Sequence, residues 1–219
     1  MEMKKSFLRL RSVVRFFTHR MTTVWEEPFD GQPAVFCPNH AGLYGPVDMM
    51  AHFELCDIAR PWFNAAVADP KQIPAYVRQD YWWKPGCALE PLYNATLPYL
   101  AAALMPPVMR TVPGIPVYHD MQVLKTFRQS LKCIQEGEHL VIFPQQPSGY
   151  KSHHMTLNKG FLQIAVMAQR SAKVALKFYP VHIDHRHHTI TVKKPIAYDL
   201  TRTLAQQEQE ILDHLAAGL

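Results

Sequence analysis

AVFCPNHAGLYGPVDMMAHFELC, residues 34–56, opens on an apolar run and closes on one with helical spacing. AVFCP (34–38) is short, ends at Pro38 and reads as a buried strand. Pro46 suits the first turn of a helix, where its missing N–H has no partner to lose. PVDMMAHFELC (46–56) reads as that helix. Asp48 then sits in its first turn, where the helix dipole favours a carboxylate. Between strand and helix lies NHAGLYG, a polar turn carrying His40.

The rest of the chain continues the alternation. Residues 60–68 read as a second strand and GIPVY (114–118) as a third. Between them, residues 70–113 carry eight prolines and read as irregular. That stretch includes PYLAAALM (98–105), open to reading as an acyl-chain wall or a core helix. In MQVLKTFRQSLKCIQEG (121–137), Val123, Leu124, Phe127, Leu131 and Ile134 recur at helical spacing. Asp120 is its expected N-cap and Gly137 its end. HLVIFP (139–144) reads as a buried strand, 159–170 as a helix and KVALKFYPVHI (173–183) as a strand. TITVKKPI (189–196) pairs back across a polar turn, and 201–217 form a last helix. The pattern predicts an α/β fold: a central, mostly parallel or mixed sheet flanked by helices, preceded by an N-terminal basic amphipathic helix.

The chain has 219 residues, 48% hydrophobic and 19% charged, which fits a folded protein. Cys37, Cys56, Cys87 and Cys133 form no CxxC pair, which suits free thiols in a reducing compartment and not a zinc ribbon. The net charge of +5 resides in residues 1–24, and the remainder is balanced. A nucleic-acid surface is therefore not expected. No stretch reaches the roughly 18–20 apolar residues of a spanning helix, and no signal peptide is expected. In residues 3–22, Phe7, Leu10, Val13, Val14, Phe17 and Met21 share a face flanked by Lys4, Lys5, Arg9, Arg11 and Arg15. Such a helix either lies in a lipid headgroup layer or packs its stripe on the domain. The division expected is 1–24 as a membrane-surface helix and 25–219 as the α/β domain.

Three constellations could carry chemistry. His40 falls just past a strand's carboxyl end, where α/β sheets bind ligands. It suits a general base near neutral pH, and Asp48 either fixes its tautomer or only caps the following helix. FPQQPSGYKSHH (143–154) follows another buried strand and reads as an anion-binding loop or an ordinary surface loop. HIDHRHH (182–188) holds many metal-type ligands but lies between two strands, so it reads as a hairpin tip with solvated imidazoles. No metal is expected. GxSxG, P-loop and GxGxxG motifs are absent, which disfavours a serine hydrolase.

NHAGLYGPVD (39–48), GIPVYHD (114–120), LVIFPQQPSG (140–149) and FYPVHI (178–183) occur in an order that resembles the glycerolipid acyltransferases, the 1-acylglycerol-3-phosphate acyltransferases and their relatives. The resemblance covers residues 34–198 and rests on motif order. It implies a one-step transfer of a fatty acyl group from acyl-CoA or acyl-carrier-protein to a hydroxyl of a lysophospholipid or related glycerolipid. By that analogy His40 is the base and Asp48 its orienting carboxylate. Asn39, Tyr44, Gly45, His119, Pro144, Gln145, Gln146, Ser148, Gly149 and Lys151 are the implied substrate-binding positions. No cofactor is implied beyond the thioester co-substrate, and the implied location is peripheral, at the cytoplasmic face of a membrane.

The sequence departs from the family pattern. Seven residues separate His40 from Asp48 where the family has four. His119 replaces the second motif's arginine, and Gln145, Gln146, Pro147 and Ser148 replace Glu-Gly-Thr-Arg in the third. A serine cannot form the bidentate fork by which an arginine holds phosphate. Lys151, Lys159, Arg110 and protonated His119 are the cations available to compensate. The alternative reading is an acyltransferase-like fold that binds lipid or membrane without turnover.

Overall fold

The computed structural model describes residues 5–40, 44–79, 83–84, 86–118, 121–145 and 157–219. Among these, eight strands form one mixed, mostly parallel sheet. They are β1 (Thr22–Trp25), β2 (Ala34–Pro38), β3 (Ala59–Asn64), β4 (Ile115–Val117), β5 (His139–Val141), β6 (Lys177–Asp184), β7 (Thr189–Val192) and β8 (Ile196–Ala197). The order is β1-β7-β6-β2-β5-β3-β4, with β8 also on β6. β6 runs antiparallel to β7 and β8, whereas β6, β2, β5, β3 and β4 run parallel to their neighbours in that order. The carboxyl ends of those five strands therefore open along one edge.

β2 lies near the middle of this sheet and is buried throughout. Val35 and Cys37 face one layer, packed with Ile134, Ile164, Ala168, Ile211 and Leu215. Those residues come from α5 (Val123–Gln135), α6 (Gln163–Ala172) and α7 (Leu204–Gly218). Ala34 and Phe36 face the other layer, with Met49 of α2 (Gly45–His52) and Phe53 just after it. Alternate side chains of one strand thus enter two cores, which is why AVFCP reads as a continuous apolar run. The predicted α/β architecture is observed.

Element bounds differ where local patterns compete. The strand expected at 60–68 is β3, which ends at Asn64, and Ala65–Ala68 turn as a 3-10 helix capped by the Asn64 side chain. α5 begins at Val123 with Gln122 at the cap position, and Asp120, the expected cap, lies outside the described residues. Gly137 adopts φ 79° just after α5, a conformation glycine reaches without a Cβ penalty.

The expectation of an irregular 70–113 is overturned. It contains α3 (Ile73–Gln79) and α4 (Glu90–Met109), and α4 keeps Pro98, Pro106 and Pro107 inside it. A proline cannot donate to the carbonyl four residues back. For Pro98 that carbonyl is Asn94, and Arg78 of α3 donates to it at 3.3 Å. Ile73, Val77 and Ala101 form the small core between the two helices.

The N-terminal helix, α1 (Lys5–Phe17), is shorter than 3–22 and stops before β1. It packs beside α2 (Gly45–His52), and its Phe7 is 3% exposed. Arg11 pairs with Asp57, Arg15 donates to the Ala51 carbonyl, and Thr18 shares a 2.8 Å hydrogen bond with His52. Phe16 and Phe17 point outward, 82% and 81% exposed. Arg11 and Arg15 of the basic flank thus find acceptors on the domain, and two residues of the apolar stripe, Val13 and Phe17, are exposed.

Candidate functional site

The site is built where β2 ends. Asn39 extends the β2–β6 ladder past the strand: its N–H donates to the Val181 carbonyl at 3.0 Å. Its side-chain oxygen accepts from the Ile183 N–H at 2.7 Å, and its amide donates to the Ile183 carbonyl at 3.3 Å. Asn39 thus clips the strand end and sets the direction in which the next residue, His40, leaves the sheet.

The His40 N–H donates to the Gln145 side-chain oxygen at 2.7 Å, and its ring lies 5.3 Å from that of Phe143. Phe143, Pro144 and Gln145 leave the carboxyl end of β5, the parallel neighbour of β2. Gln145 bridges to Leu157, and the Pro144 carbonyl accepts from the Asn158 N–H at 2.7 Å. The first and third motif segments therefore meet, and both stems of the 146–156 segment are pinned. Gln146, Ser148, Gly149 and Lys151 lie outside the described residues, as does His119.

Gly45 begins α2 against His40. A Cβ at this position would stand 2.2 Å from the His40 carbonyl oxygen, so no other residue permits the approach. Gly45 thus stands directly against the His40 backbone carbonyl. Tyr44 is 66% exposed, and its ring lies 6.2 Å from that of His185.

Asp48 is 5% exposed in the first turn of α2. Its Oδ2 pairs with His185 Nε2 at 2.7 Å. The predicted hairpin at 182–188 is present as β6–β7, but its imidazoles are not simply solvated. His185 engages Asp48, His187 hydrogen-bonds Asp184 at 2.7 Å, and His188 lies 4.8 Å from the His19 ring. His182 Nδ1 lies 2.7 Å from the Leu219 carbonyl oxygen. No group of three or more metal-type ligands is placed to hold an ion among the described residues. His185 was missed as a site residue because its proximity to Asp48 depends on β6 lying beside β2. The partial signal was that HIDHRHH follows a strand whose end could open at the same edge.

A cavity of about 830 Å³ lies farther along this edge, beyond β3 and β4. Phe63, Asn64, Pro116 and Tyr118 line it, with Asp69 and Arg110 as its charged groups. It is open to solvent and mixed in polarity.

No protein-family model matches the chain, and no curated protein matches it. The resemblance to the glycerolipid acyltransferases therefore rests on the order of motifs in the sequence alone.

Proposed function

We propose that the protein is an acyltransferase that moves a fatty acyl group from acyl-CoA or acyl-carrier-protein to a hydroxyl of a lysophospholipid or related glycerolipid acceptor. The observation that carries the reading is the contact of the Asn39–His40 turn with Phe143–Gln145, two motif segments a hundred residues apart, at one sheet edge. In this reading the His40 imidazole takes the acceptor hydroxyl's proton as the oxygen attacks the thioester carbonyl. The tetrahedral intermediate collapses with cleavage of the C–S bond. The thiolate leaves and takes the proton back from the imidazolium, so ester and thiol are released and His40 is regenerated. Gln145 contributes by holding the histidine's backbone.

Peripheral membrane contact is part of the proposal. It is supported by Phe16 and Phe17, exposed on a helix that also carries Lys5 and Arg9. No helix among the described residues is long and apolar enough to cross a membrane. A second reading, a lipid-binding protein without turnover, is favoured by one observation: Asp48 is bonded to His185.

Purified protein incubated with labelled acyl-CoA or acyl-carrier-protein and a panel of lysophospholipids tests both. Ester formation that His40→Ala abolishes supports the enzyme. Transfer that survives His40→Ala removes the assigned base. Lipid binding without transfer on any acceptor favours the second reading.

A further inference from the structure

We infer that the outward face of α4 is a lipid-docking surface that seats the α3–α4 hairpin in the interfacial layer of a bilayer. The inference rests on this face alone and not on the acyl-transfer reading. Leu92, Tyr99, Leu100, Leu104 and Val108 recur on one side of α4 and are between 41% and 60% exposed. No Asp, Glu, Lys or Arg occurs from Pro91 to Met109. A surface helix of a globular protein normally carries charge on its outer face, and one apolar all round is buried in protein or lipid. The inner face of α4 is already packed through Ala101 against Ile73 and Val77, so the outer one is what needs an occupant.

Two features point to lipid and not to a second copy of the chain. From Leu92 to Val108 the stripe is about 25 Å long at 1.5 Å per residue, and a helix is about 10 Å wide. The resulting footprint, about 250 Å², falls well short of the roughly 800 Å² per partner of a stable protein interface. Beyond the Tyr99 hydroxyl, with the Arg78 guanidinium 5.7 Å from the centre of that ring, the face offers few groups for a partner to hydrogen-bond. The hydroxyl of Thr96 donates to the Leu92 carbonyl at 2.7 Å within the helix. Acyl chains need apolar area and no directional partner, and an interfacial helix is held by such area alone.

The surroundings fit the same occupant. Beside the amino-terminal half of α4 is an apolar cavity of about 680 Å³ lined by Trp83, Leu89, Tyr93 and Leu97, with Lys84 also in its wall. Amphipathic aromatic rings and a lysine suit the level of lipid headgroups. At its other end α4 runs through Met109 and Arg110 into the wall of the 830 Å³ cavity at the sheet edge. A bilayer seated on α4 would border that cavity.

The test is flotation of the full chain with phosphatidylcholine vesicles, comparing wild type with Leu100→Glu/Leu104→Glu. The expected result is a fall in partition coefficient of at least about tenfold, with far-UV circular dichroism and thermal midpoint unchanged because both side chains are exposed. An environment-sensitive fluorophore on Leu104→Cys, in a Cys87→Ser background, is expected to shift to the blue on adding vesicles. Unchanged partition in the double variant, or an unshifted fluorophore, overturns the proposal even if α1 alone holds the chain on vesicles. A wild-type dimer in sedimentation velocity that Leu100→Glu/Leu104→Glu dissociates would assign the face to self-association instead. His40→Ala is expected to leave partition unchanged, so loss of acyl transfer and loss of membrane seating are separate outcomes.

Discussion

His139 makes a stability prediction that can be worked through. It lies on β5, 1% exposed, with its ring 5.2 Å from that of Phe29 and 5.6 Å from that of Phe36. Burial pushes its pKa down to about 4, against the upward pull of Glu138 and Asp30. The folded protein thus holds a neutral imidazole where the unfolded chain takes a proton near pH 6.5. Between those values the unfolded state binds more protons, so stability falls as pH falls. Below about pH 4 both states are protonated and the loss levels off. At about 1.4 kcal/mol per unit, the full effect is about 3 kcal/mol. The paired carboxylates Glu26, Asp30, Glu138 and Asp184 are held below their ordinary values, so their contributions are lost mainly at lower pH. His52, also shifted down by burial, overlaps the window. The assay is therefore a difference: urea midpoints of wild type and His139→Leu between about pH 4 and pH 7. The leucine variant should be flatter by most of that amount. At neutral pH it should lose little, because His139 Nδ1 is buried with no hydrogen-bond partner among the described residues. Parallel curves for the two proteins would refute the buried-imidazole argument.

Other consequences follow from single contacts. Gly45→Ala drives a Cβ into the His40 carbonyl. It should cost about 1–3 kcal/mol in urea unfolding and reduce any His40-dependent transfer more than it reduces vesicle binding. His185→Ala leaves the buried Asp48 carboxylate without its imidazole and should cost about 1–3 kcal/mol. A double-mutant cycle with Asp48→Asn should show coupling, and simple additivity would refute the pairing. Arg60 and Glu138 are 1% and 5% exposed and joined by two hydrogen bonds. Arg60→Met should cost about 3–5 kcal/mol, and Arg60→Met/Glu138→Leu should recover most of it. Arg78→Ala removes the donor to the Asn94 carbonyl, and hydrogen exchange should quicken in α4 while β2 and β6 keep their protection.

The candidate site was legible in part. The Asn39–His40 turn at a strand's carboxyl end follows from residues 34–56 alone, because a buried strand and a proline-started helix are both local patterns. That turn meets Phe143–Gln145 because both segments leave the carboxyl ends of adjacent parallel buried strands, and Gln145 joins them. The partner of Asp48 was not legible. His185 is 137 residues away, and the contact exists only because β6 pairs with β2.

The same division holds for the fold. Strand–helix alternation, the β6–β7 hairpin and the Gly137 helix stop depend on spacing within a few residues, so the sequence by itself determined them. α4 was hidden because its prolines argue locally against a helix, and one of the bare carbonyls is satisfied by Arg78, sixteen residues earlier. Which face of α1 docks was likewise open. An apolar stripe and a basic flank compete for the same groove, and Arg11 and Arg15 found acceptors at Asp57 and Ala51 that exist only once α2 is in place. Local periodicity is written in the chain. The partners of charged and hydrogen-bonding groups are assigned by strand order and helix packing, which only the tertiary structure decided.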